Sequence, residues 1–499
     1  MSVYENEETP RLGWDMWKRF LIGGTIVMLL SATAVASGVL LQVHETIDTF
    51  RQASTPIPGI KNELDKVDPG GPQTILVLGS DGRYGEKGIP VRSDTMIVVR
   101  LDPDKNATAV MSIPRDLKVE IPGRGTGKIN TAFAIGGPRL AVRTVKGLLG
   151  PGVPISHVVN VNFNGFQRAV NRLGCVFVDI DRRYFNDRGG PGGYATIDLK
   201  PGYQKLCGSD SLDYVRYRHL DDDFVRAARQ QDFLRQAKGQ IGLGKVFGDR
   251  NELLKIFGRY ADTDISRDND AAILRLIKLA YESTKNPIHE VRFRGGQSDN
   301  PEYVVITEEN LLKTVDEFLD VGLGSTAEQV ADEQAERKKP KRIKNTGRLA
   351  RRLVERKEAG EDHVLTIATK QSSLPVYFPK AVYARGGYQR ESPRLYDIYD
   401  RNKNKYRAYR LVLSVEGKGN GQYYGVQGMT WKAPPILDNP TDEVRMRKRT
   451  YRRYFDGRKI RLIAWETPKA VYWVANTLSH TLTNRQMMDI ARSLQRIGQ

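Results

Sequence analysis

Cysteine is scarce in this chain, with only Cys175 and Cys207 among 499 residues. In an oxidising compartment, a lone pair of cysteines favours a disulfide over a thiolate metal site or a catalytic nucleophile. Two buried free thiols are the alternative. The location of the chain therefore decides how the pair is interpreted.

Acidic residues are also few relative to basic ones, with 59 Asp and Glu against 78 Lys and Arg. The net charge of +19 predicts an anionic partner: a nucleic acid, an acidic membrane surface or a negatively charged polymer. The hydrophobic content of 39% is ordinary for folded protein, and the length allows two or three domains. No tandem repeat is visible.

Charge is absent from residues 20–41, an apolar run long enough to cross a bilayer as one helix. Lys18 and Arg19 directly precede it. The positive-inside rule then predicts a single-pass membrane protein, with residues 1–19 as a cytoplasmic tail and everything after residue 41 outside. The alternative is a signal peptide with a small-residue cleavage site at 34–36. Under both interpretations, most of the chain is exported from the cytoplasm.

Export has two consequences for the predictions. It favours a disulfide between Cys175 and Cys207, and it argues against nucleic acid as the anionic partner. Only about nineteen residues precede the predicted span, which is too few for a DNA-binding fold. This topology argues against a transcriptional regulator.

Strand and helix patterns alternate after the predicted span, which favours a layered α/β domain with a central sheet. Strands are predicted at 74–78, 95–101, 107–113, 158–163 and 175–180, and helices at 166–173, 209–218 and 227–241. Over residues 251–319 the pattern predicts two more helices around a strand near 303–306. We place this domain at residues 74–320, after a stalk at 42–73 that ends in a loop rich in Gly and Pro.

The remaining chain predicts a linker and a second unit. Residues 321–362 form a basic linker, for which the alternative role is a tether to an anionic wall polymer or to lipid head groups. Residues 363–499 are predicted to be a separate α+β domain of unknown role. It has strand-like runs at 410–415 and 460–465 and a helix at 485–497.

Three arginine-bearing segments lie where a predicted strand or helix meets a loop. Their polar residues are Asp81, Arg83, Arg92 and Asp94; then Arg115 and Asp116; then Arg216, Arg218, Arg226, Arg229 and Gln230. Arginine binds phosphate oxygens bidentately and stays charged when partly desolvated. Aspartates are hard oxygen ligands for a magnesium-like ion that also contacts phosphates. These segments predict a pyrophosphate site, although a solvated basic face is the alternative for the third.

The first domain resembles the LytR–CpsA–Psr (LCP) family of bacterial cell-envelope enzymes over about residues 74–320. The resemblance rests on ILVLGSDGR (75–83), VRSDTMIVVRLDP (91–103), MSIPRDLKVEIPG (111–123), KINTAFAIGGP (128–138), FNGFQRAVNRLGCVFVDI (163–180), LKPGYQKLCGSDSLDYVRYR (199–218) and RAARQQDFL (226–234). No single segment is specific, but their succession is. The C-terminal unit is not covered.

This resemblance implies an α/β/α fold with a central mixed sheet and a Mg²⁺-dependent phosphotransferase activity. Such an enzyme transfers an anionic glycopolymer from a polyprenyl-pyrophosphate carrier to peptidoglycan. By motif position, Asp81 and Asp94 match metal-binding residues, and the phosphate-binding positions are Arg83, Arg92, Arg115, Arg216, Arg218, Arg226, Gln230 and Arg229. Among these we expect Arg83, Arg115 and Asp94 to be catalytic. Asp94, Asp116 and Asp223 are all candidates for the base.

Two other functions use the same residues. A polyprenyl-pyrophosphate hydrolase would replace the sugar acceptor by water, and a non-catalytic protein would only bind lipid-linked glycans. The presence of both Asp81 and Asp94 argues against the second of these.

Overall fold

The computed structural model describes residues 47–49, 51, 55–81, 93–188, 196–217, 223–265, 268, 270–283, 286, 288–300, 302–320, 341–342, 349–370, 374–416, 422–446 and 449–498. In this part of the chain, no helix combines the length and the apolar character needed to cross a membrane. The span predicted at 20–41 lies outside the described residues.

The first unit alternates strands and helices. Its strands are β1 (Thr55–Pro56), β2 (Gln73–Ser80), β3 (Ser93–Asp102), β4 (Ala107–Ile113), β5 (Lys118–Ile121), β6 (Gly125–Lys128), β7 (His157–Asn162), β8 (Val176–Ile180), β9 (Tyr184–Asn186), β10 (Ile197–Leu199), β11 (Gly202–Leu206), β12 (Ala261–Thr263), β13 (Ile288–Val291), β14 (Gly296–Gln297) and β15 (Val304–Val305). Its helices are α1 (Ile129–Leu149), α2 (Phe163–Arg172), α3 (Gly208–Arg216), α4 (Asp223–Gln240), α5 (Leu243–Gly248), α6 (Arg250–Tyr260), α7 (Asp270–Ser283) and α8 (Glu308–Leu319).

The central sheet is mixed, with the order β1-β12-β7-β2-β3-β4-β13 among the described strands. Consecutive strands β2, β3 and β4 pair antiparallel, whereas β7 joins β2 and β13 joins β4 in parallel. Every residue of β4 is buried, as expected for a strand covered on both faces. The predicted α/β domain with a central mixed sheet is confirmed.

Apolar side chains on one face of the central sheet form the main core of the first unit. Leu78 and Met96 pack there in one cluster with Phe133 of α1 and Phe318 of α8. Because side chains alternate along a strand, the residues between them point to the opposite face. On that face Gln230 of α4 donates to Thr95 Oγ1 of β3. Helices on both faces produce an α/β/α arrangement.

Cys175 and Cys207 form a disulfide, so the prediction from their scarcity is confirmed. Strands β8 and β11 pair antiparallel with Val176 opposite Leu206. This register brings the residues just outside the paired segment together, and the two Cα atoms lie 4.5 Å apart. The bridge therefore ties the start of β8 to the start of α3.

The predicted stalk at 42–73 is wrong for most of its length, because this segment packs into the first unit. Ile47 and Ile60 are both buried. Thr55 pairs with Asp262 of β12, which makes β1 an edge strand of the central sheet. Apolar anchors inside a mostly polar segment gave too weak a pattern to predict this packing.

Residues 251–319 also contain more structure than predicted. The helices α6, α7 and α8 lie here, and the short strands β12 and β13 join the central sheet. The predicted strand near 303–306 forms the short strand β15, which pairs with β14 and makes an isolated bridge from Val304 to Leu117. Strands of three or four residues are too short to produce a recognisable alternation.

The second unit is built on a large sheet. Its strands are β16 (Lys341–Arg342), β17 (Leu353–Glu355), β18 (Tyr377–Pro379), β19 (Ala381–Tyr383), β20 (Arg394–Tyr399), β21 (Lys405–Ser414), β22 (Tyr423–Met429), β23 (Asp442–Met446), β24 (Arg449–Asp456), β25 (Lys459–Glu466), β26 (Val471–Ala475) and β27 (Leu494–Arg496). Its helices are α9 (Lys357–Ala368) and α10 (Asn484–Arg492). The sheet order is β16-β23-β24-β25-β26-β22-β21-β20. The linker boundary predicted at 362 falls inside α9 and is wrong.

A buried ion pair connects the two units. Nη1 of Arg410 in β21 lies 2.9 Å from Oδ1 of Asp179 in β8, and Trp473 Nε1 donates to Oδ2 of the same carboxylate at 2.9 Å. A Cβ at Gly425 would lie 2.4 Å from the Arg410 guanidinium carbon, so only glycine leaves room for it. Burial raises the pKa of Asp179, although Arg410 and Trp473 lower it. The second unit shares a buried interface with the first, which corrects the prediction of a separate domain.

A second charged cluster lies at the same interface. Arg235 of α4 is 2.8 Å from Asp232, 3.1 Å from Glu290 of β13 and 3.5 Å from Asp456 of β24. His480 Nδ1 lies 3.3 Å from Asp456. Burial alone raises the pKa of Asp456, but the hydrogen bond to His480 and the charge of Arg235 hold it below its usual range. One arginine therefore joins carboxylates of both units.

Glu290 is expected to make the folded protein less stable as pH rises. Burial raises the pKa of its carboxyl to about 8, against the charge of Arg235 and with further contributions from Asp456 and Asp232. The unfolded carboxyl titrates near pH ~4.3. Between about pH 4.5 and 8, the folded state therefore holds one more proton than the unfolded state. As the pH rises through this range, the free energy of unfolding falls, and the contribution of the protonated carboxyl to stability is fully present only below it.

Glu290→Gln removes this titration. Between pH 5 and 8.5, the free energy of unfolding of the unmodified protein should fall relative to that of the variant by about 4 kcal/mol. Chemical denaturation at several pH values measures this difference. Glu317→Gln, which changes an exposed pair with Arg294, is the control. Parallel pH profiles for all three proteins would contradict the prediction.

Candidate active site

Strand register brings the ends of four strands to one edge of the central sheet, called the site edge below. Ser80 at the end of β2 lies opposite Ser93 at the start of β3, and Ile113 at the end of β4 lies opposite Met96. Strand β7 runs parallel to β2, with its last residue, Asn162, opposite Ser80. The loops after β2, β4 and β7 therefore meet the start of β3 here.

The two aspartates predicted to bind metal flank the pairing of β2 with β3. Asp81 is exposed directly after β2, and Asp94 is the second residue of β3. The regular pairing of these two strands is interrupted by a register shift between Gly79 and Ser80. A Cβ at Gly79 would lie 2.9 Å from the Cβ of Thr95, so glycine permits the close approach of the two strands. The backbone thus brings both aspartates to the site edge.

Several predicted residues lie outside the part of the chain that the structure describes. These are Arg83, Arg92 and Arg218, together with the side chains of Asp94 and Asp223. Their assigned roles stay predictions from the sequence.

Arg115 follows β4 at the site edge and lies beside a buried carboxylate. Its Nε is 3.8 Å from Oδ2 of Asp116, and Lys128 Nζ is 3.4 Å from Oδ1 of the same group. The Asp116 carbonyl accepts a hydrogen bond from Val304 N at 3.0 Å, which fixes the loop. Asp116 is held by Lys128 and Val304, and it therefore orients the guanidinium of Arg115. The sequence did not reveal that Lys128 pairs with Asp116.

Helix α4 reaches the site edge through Gln230. Its Nε2 donates to Thr95 Oγ1 at 3.1 Å and to the Val215 carbonyl at 3.2 Å, so one amide joins α4 to β3 and α3. Arg226 lies one turn earlier on the same face of α4 and is buried. A guanidinium keeps its charge in such surroundings and binds anions strongly. Gln230 therefore links α4 to α3 next to the start of β3.

Arg216 ends α3 at the same place. Its guanidinium carbon lies 4.6 Å from the ring centroid of Phe163, the first residue after β7, in a cation–π contact. One turn earlier on α3, burial raises the pKa of Asp213 to about 6, although Arg216 lowers it. Sequence reasoning missed Phe163 and Asp213. An aromatic residue directly after a strand was the available signal for Phe163.

Arg229 is placed differently from the prediction that it binds phosphate. Its side chain is fully buried, and Nη1 donates to the carbonyls of Tyr217 at 2.7 Å and Tyr214 at 3.2 Å. The guanidinium carbon also lies 4.4 Å from the ring centroid of Tyr184. Arg229 therefore crosslinks α3 to α4 from inside the core and supports the helices that carry Arg216 and the rest of the site.

A group of potential metal ligands lies at the opposite edge of the central sheet. His157 Nδ1 is 2.8 Å from Asp264 Oδ2, and Asp264 Oδ1 accepts from Val158 N at 2.8 Å. Asp268 accepts from Lys61 Nζ at 2.6 Å. Each of the three grouped side chains thus has a protein partner that accounts for its position.

Comparison with known proteins assigns the first unit to a family. The model described as the LytR_cpsA_psr family matches residues 39–319, more than half of the chain. The chain belongs to this family. The match begins well before β1, in agreement with the packing of the segment that was predicted to be a stalk.

Curated relatives carry a common name, polyisoprenyl-teichoic acid–peptidoglycan teichoic acid transferase TagU. The protein from Oceanobacillus iheyensis is 29% identical over 327 residues, which is 61% of this chain and 93% of the relative. The protein from Bacillus cereus strain ATCC 14579 is 32% identical over 271 residues, which is 54% of this chain and 85% of the relative.

Among solved structures, one described as TagT bound to LI-WTA covers 54% of this chain and 99% of its own. It is 26% identical, with a TM-score of 0.41. The family assignment depends on the sequence match and not on this overlap.

Proposed function

We propose that this LCP protein is a phosphotransferase that moves an anionic glycopolymer from a polyprenyl-pyrophosphate carrier to peptidoglycan. One observation carries the proposal: Arg115, Arg216 and Arg226 converge with Gln230 at the sheet edge where Asp81 follows β2. The names of the curated relatives, which are teichoic acid transferases, support the same class of reaction.

The reaction requires positioning and charge neutralisation more than covalent chemistry from the protein. A sugar hydroxyl of peptidoglycan attacks the phosphorus that carries the glycopolymer. The bond from this phosphorus to the bridging oxygen breaks, a phosphodiester forms, and polyprenyl phosphate leaves. The hydroxyl proton passes to a base at the site edge. Guanidinium groups bind the charged oxygens throughout, and they stabilise the leaving phosphate as its charge develops.

The described side chains have different proposed roles in this reaction. Arg115, aligned by Asp116, is proposed to bind the diphosphate directly, with Arg216 and Arg226 on the facing helices. Because Asp116 already lies between Arg115 and Lys128, we assign it to orienting Arg115 and not to proton transfer. Asp94 is proposed as the catalytic carboxylate.

We also propose that Asp81 and Asp94 hold Mg²⁺. The fit rests on the donor set: two carboxylates at adjacent strand ends, of which that of Asp81 is exposed, are hard ligands of the kind Mg²⁺ prefers. When bound, the ion would neutralise charge on the phosphate oxygens. The surrounding arginines bind the rest of that charge.

The proposed location is the outer face of the cell membrane, with the chain anchored once by residues 20–41. The apolar run and the basic residues before it support this topology. The disulfide between Cys175 and Cys207 supports an oxidising compartment for the folded units.

Mass spectrometry of the lipid that co-purifies with the detergent-extracted full chain tests the substrate class. We expect a polyprenyl phosphate or pyrophosphate, lost in the Arg115→Ala variant and reduced after treatment with a chelator. Retention of ordinary phospholipids only, equal in both proteins, would contradict a polyprenyl-pyrophosphate substrate.

A further inference from the structure

A cleft of about 550 Å³ is lined by residues of α2, the second half of α6 and the edge strand β1. This volume suits a small ligand or a segment of a polymer. Basic side chains from both helices line it: Arg168 of α2, and Lys255 and Arg259 of α6. Because Lys255 and Arg259 are four positions apart, they lie on the same face of α6. The cleft with these three cations is called the basic cleft below.

The charges of the basic cleft favour a ligand that carries phosphate groups. Its described lining also includes the carboxylate of Glu252, whose Oε1 lies 3.0 Å from Lys255 Nζ. Both side chains of this pair are exposed, so the pair contributes little and leaves the cleft positive. The guanidinium carbon of Arg168 lies 5.2 Å from the ring centroid of Tyr260. A guanidinium stacked in this way still presents the N–H groups at its rim, which bind phosphate oxygens in pairs.

The basic cleft lies at the site edge. Strand β12 begins opposite Val161, near the end of β7, so Tyr260, which directly precedes β12, lies at this edge of the sheet. A Cβ at Gly165 would lie 2.5 Å from the Cβ of Tyr260, so glycine allows the first turn of α2 to contact this tyrosine. The same turn begins with Phe163, whose ring contacts Arg216. The first turn of α2 therefore connects the basic cleft to an arginine of the proposed active site.

We propose that the basic cleft binds phosphate groups of the glycopolymer while the diphosphate is held by the arginines of the active site. This proposal rests on the proposed transferase function and adds a second binding region for its donor substrate. Strand β7 lies between β2 and β12, which places β12 about 10 Å from β2. A polymer attached at the diphosphate thus reaches the cleft beyond its first sugars. Because the cleft and the active site share one edge of the sheet, the orientation that brings this edge to the lipid carrier serves both.

Binding of a soluble polyanion tests the proposal without the lipid carrier and without the transfer reaction. The probe is a fluorescently labelled oligomer of glycerol phosphate, which contains phosphodiesters but no pyrophosphate. The cleft variant combines Arg168→Gln with Lys255→Gln in the full-length chain. Its matched control combines Arg124→Gln with Lys205→Gln, which removes the same charge from two exposed positions outside the cleft.

We expect the dissociation constant of the oligomer to rise at least about tenfold in the cleft variant, because two charge-assisted contacts with phosphate are lost. It should change by less than about twofold in the control. Equal affinities of the cleft variant and the control would overturn the proposal, and so would loss of oligomer binding in Arg115→Ala alone. A cleft variant that loses binding to phosphatidylglycerol vesicles but not to the oligomer would assign the cleft to lipid head groups, against the proposal.

Turnover separates this proposal from the transferase activity on which it rests. Two lipid-linked donors are compared, one with phosphate-bearing repeats and one with only the first sugars. In the cleft variant, KM should rise at least about tenfold for the first donor alone, with kcat unchanged, because the lost contacts are equal in the ground state and the transition state. An equal rise for both donors would overturn the proposal. Absence of transfer by the unmodified protein with either donor would instead contradict the proposed function, and the oligomer affinities would still decide whether the cleft binds phosphate.

Discussion

Arg115→Lys is expected to slow glycopolymer transfer by about 100-fold or more, which corresponds to about 2.7 kcal/mol of lost transition-state stabilisation. The substitution keeps the positive charge but removes the planar fork that binds two phosphate oxygens at once. Asp116, which is also paired with Lys128, holds the guanidinium of Arg115 from one side, so a flexible ammonium cannot take its place with the same geometry. The effect should fall on kcat, since the charge on the leaving phosphate grows in the transition state.

Arg124→Lys is the matched control for this substitution. Arg124 lies in the turn between β5 and β6, is exposed, and is outside the convergence of α3 and α4. The same chemical change there should leave turnover within about twofold, because surface charges contribute little. Near-normal turnover of Arg115→Lys with lipid-linked substrate would remove Arg115 from the active site.

Arg410→Met is expected to lower the free energy of unfolding by about 3–5 kcal/mol. The substitution leaves the Asp179 carboxylate buried at the interface without its cation, while Trp473 still donates to it. A buried charge without a partner destabilises the folded state far more than a surface ion pair stabilises it. Urea denaturation of the full chain measures the loss.

Two further variants separate the buried charge from general packing. Arg407→Met, on the same strand, breaks a half-exposed 2.7 Å pair with Asp397 and should cost no more than about 1 kcal/mol. Adding Asp179→Asn to Arg410→Met should recover part of the loss, because the unpaired charge is then gone. Equal losses in Arg410→Met and Arg407→Met would mean that the buried pair does not hold the two units together.

Apolar runs in the first unit predicted its strands well, because buried strands are nearly continuous in hydrophobic residues. The run at 107–113 matches β4, and the strands predicted at 74–78 and 95–101 differ from β2 and β3 by one or two residues at each end. Once their antiparallel register is known, the loops bearing Asp81 and Arg115 must meet at one edge. The location of the site therefore follows from local patterns.

Other features of the structure could not be predicted from local sequence patterns. Helical spacing puts Arg226, Arg229 and Gln230 on one face, but it does not reveal that Arg229 packs on tyrosines. Asp179 and Arg410 are 231 positions apart, so the sequence around either residue does not predict that they form an ion pair. The packing of the supposed stalk depends on isolated residues such as Ile47. Long-range partners decide these outcomes, and a single sequence contains no record of them.

The proposed activity is transfer of a glycopolymer to peptidoglycan at the site edge. It is tested most directly by incubating the membrane-reconstituted chain with a polyprenyl-pyrophosphate-linked glycopolymer, with and without peptidoglycan, and identifying the products by mass spectrometry. We predict phosphodiester-linked glycopolymer on peptidoglycan and an equal amount of polyprenyl phosphate, both abolished by a chelator and by Asp81→Asn. Release of glycopolymer phosphate into water at the same rate whether or not peptidoglycan is present would contradict the claim and identify a hydrolase.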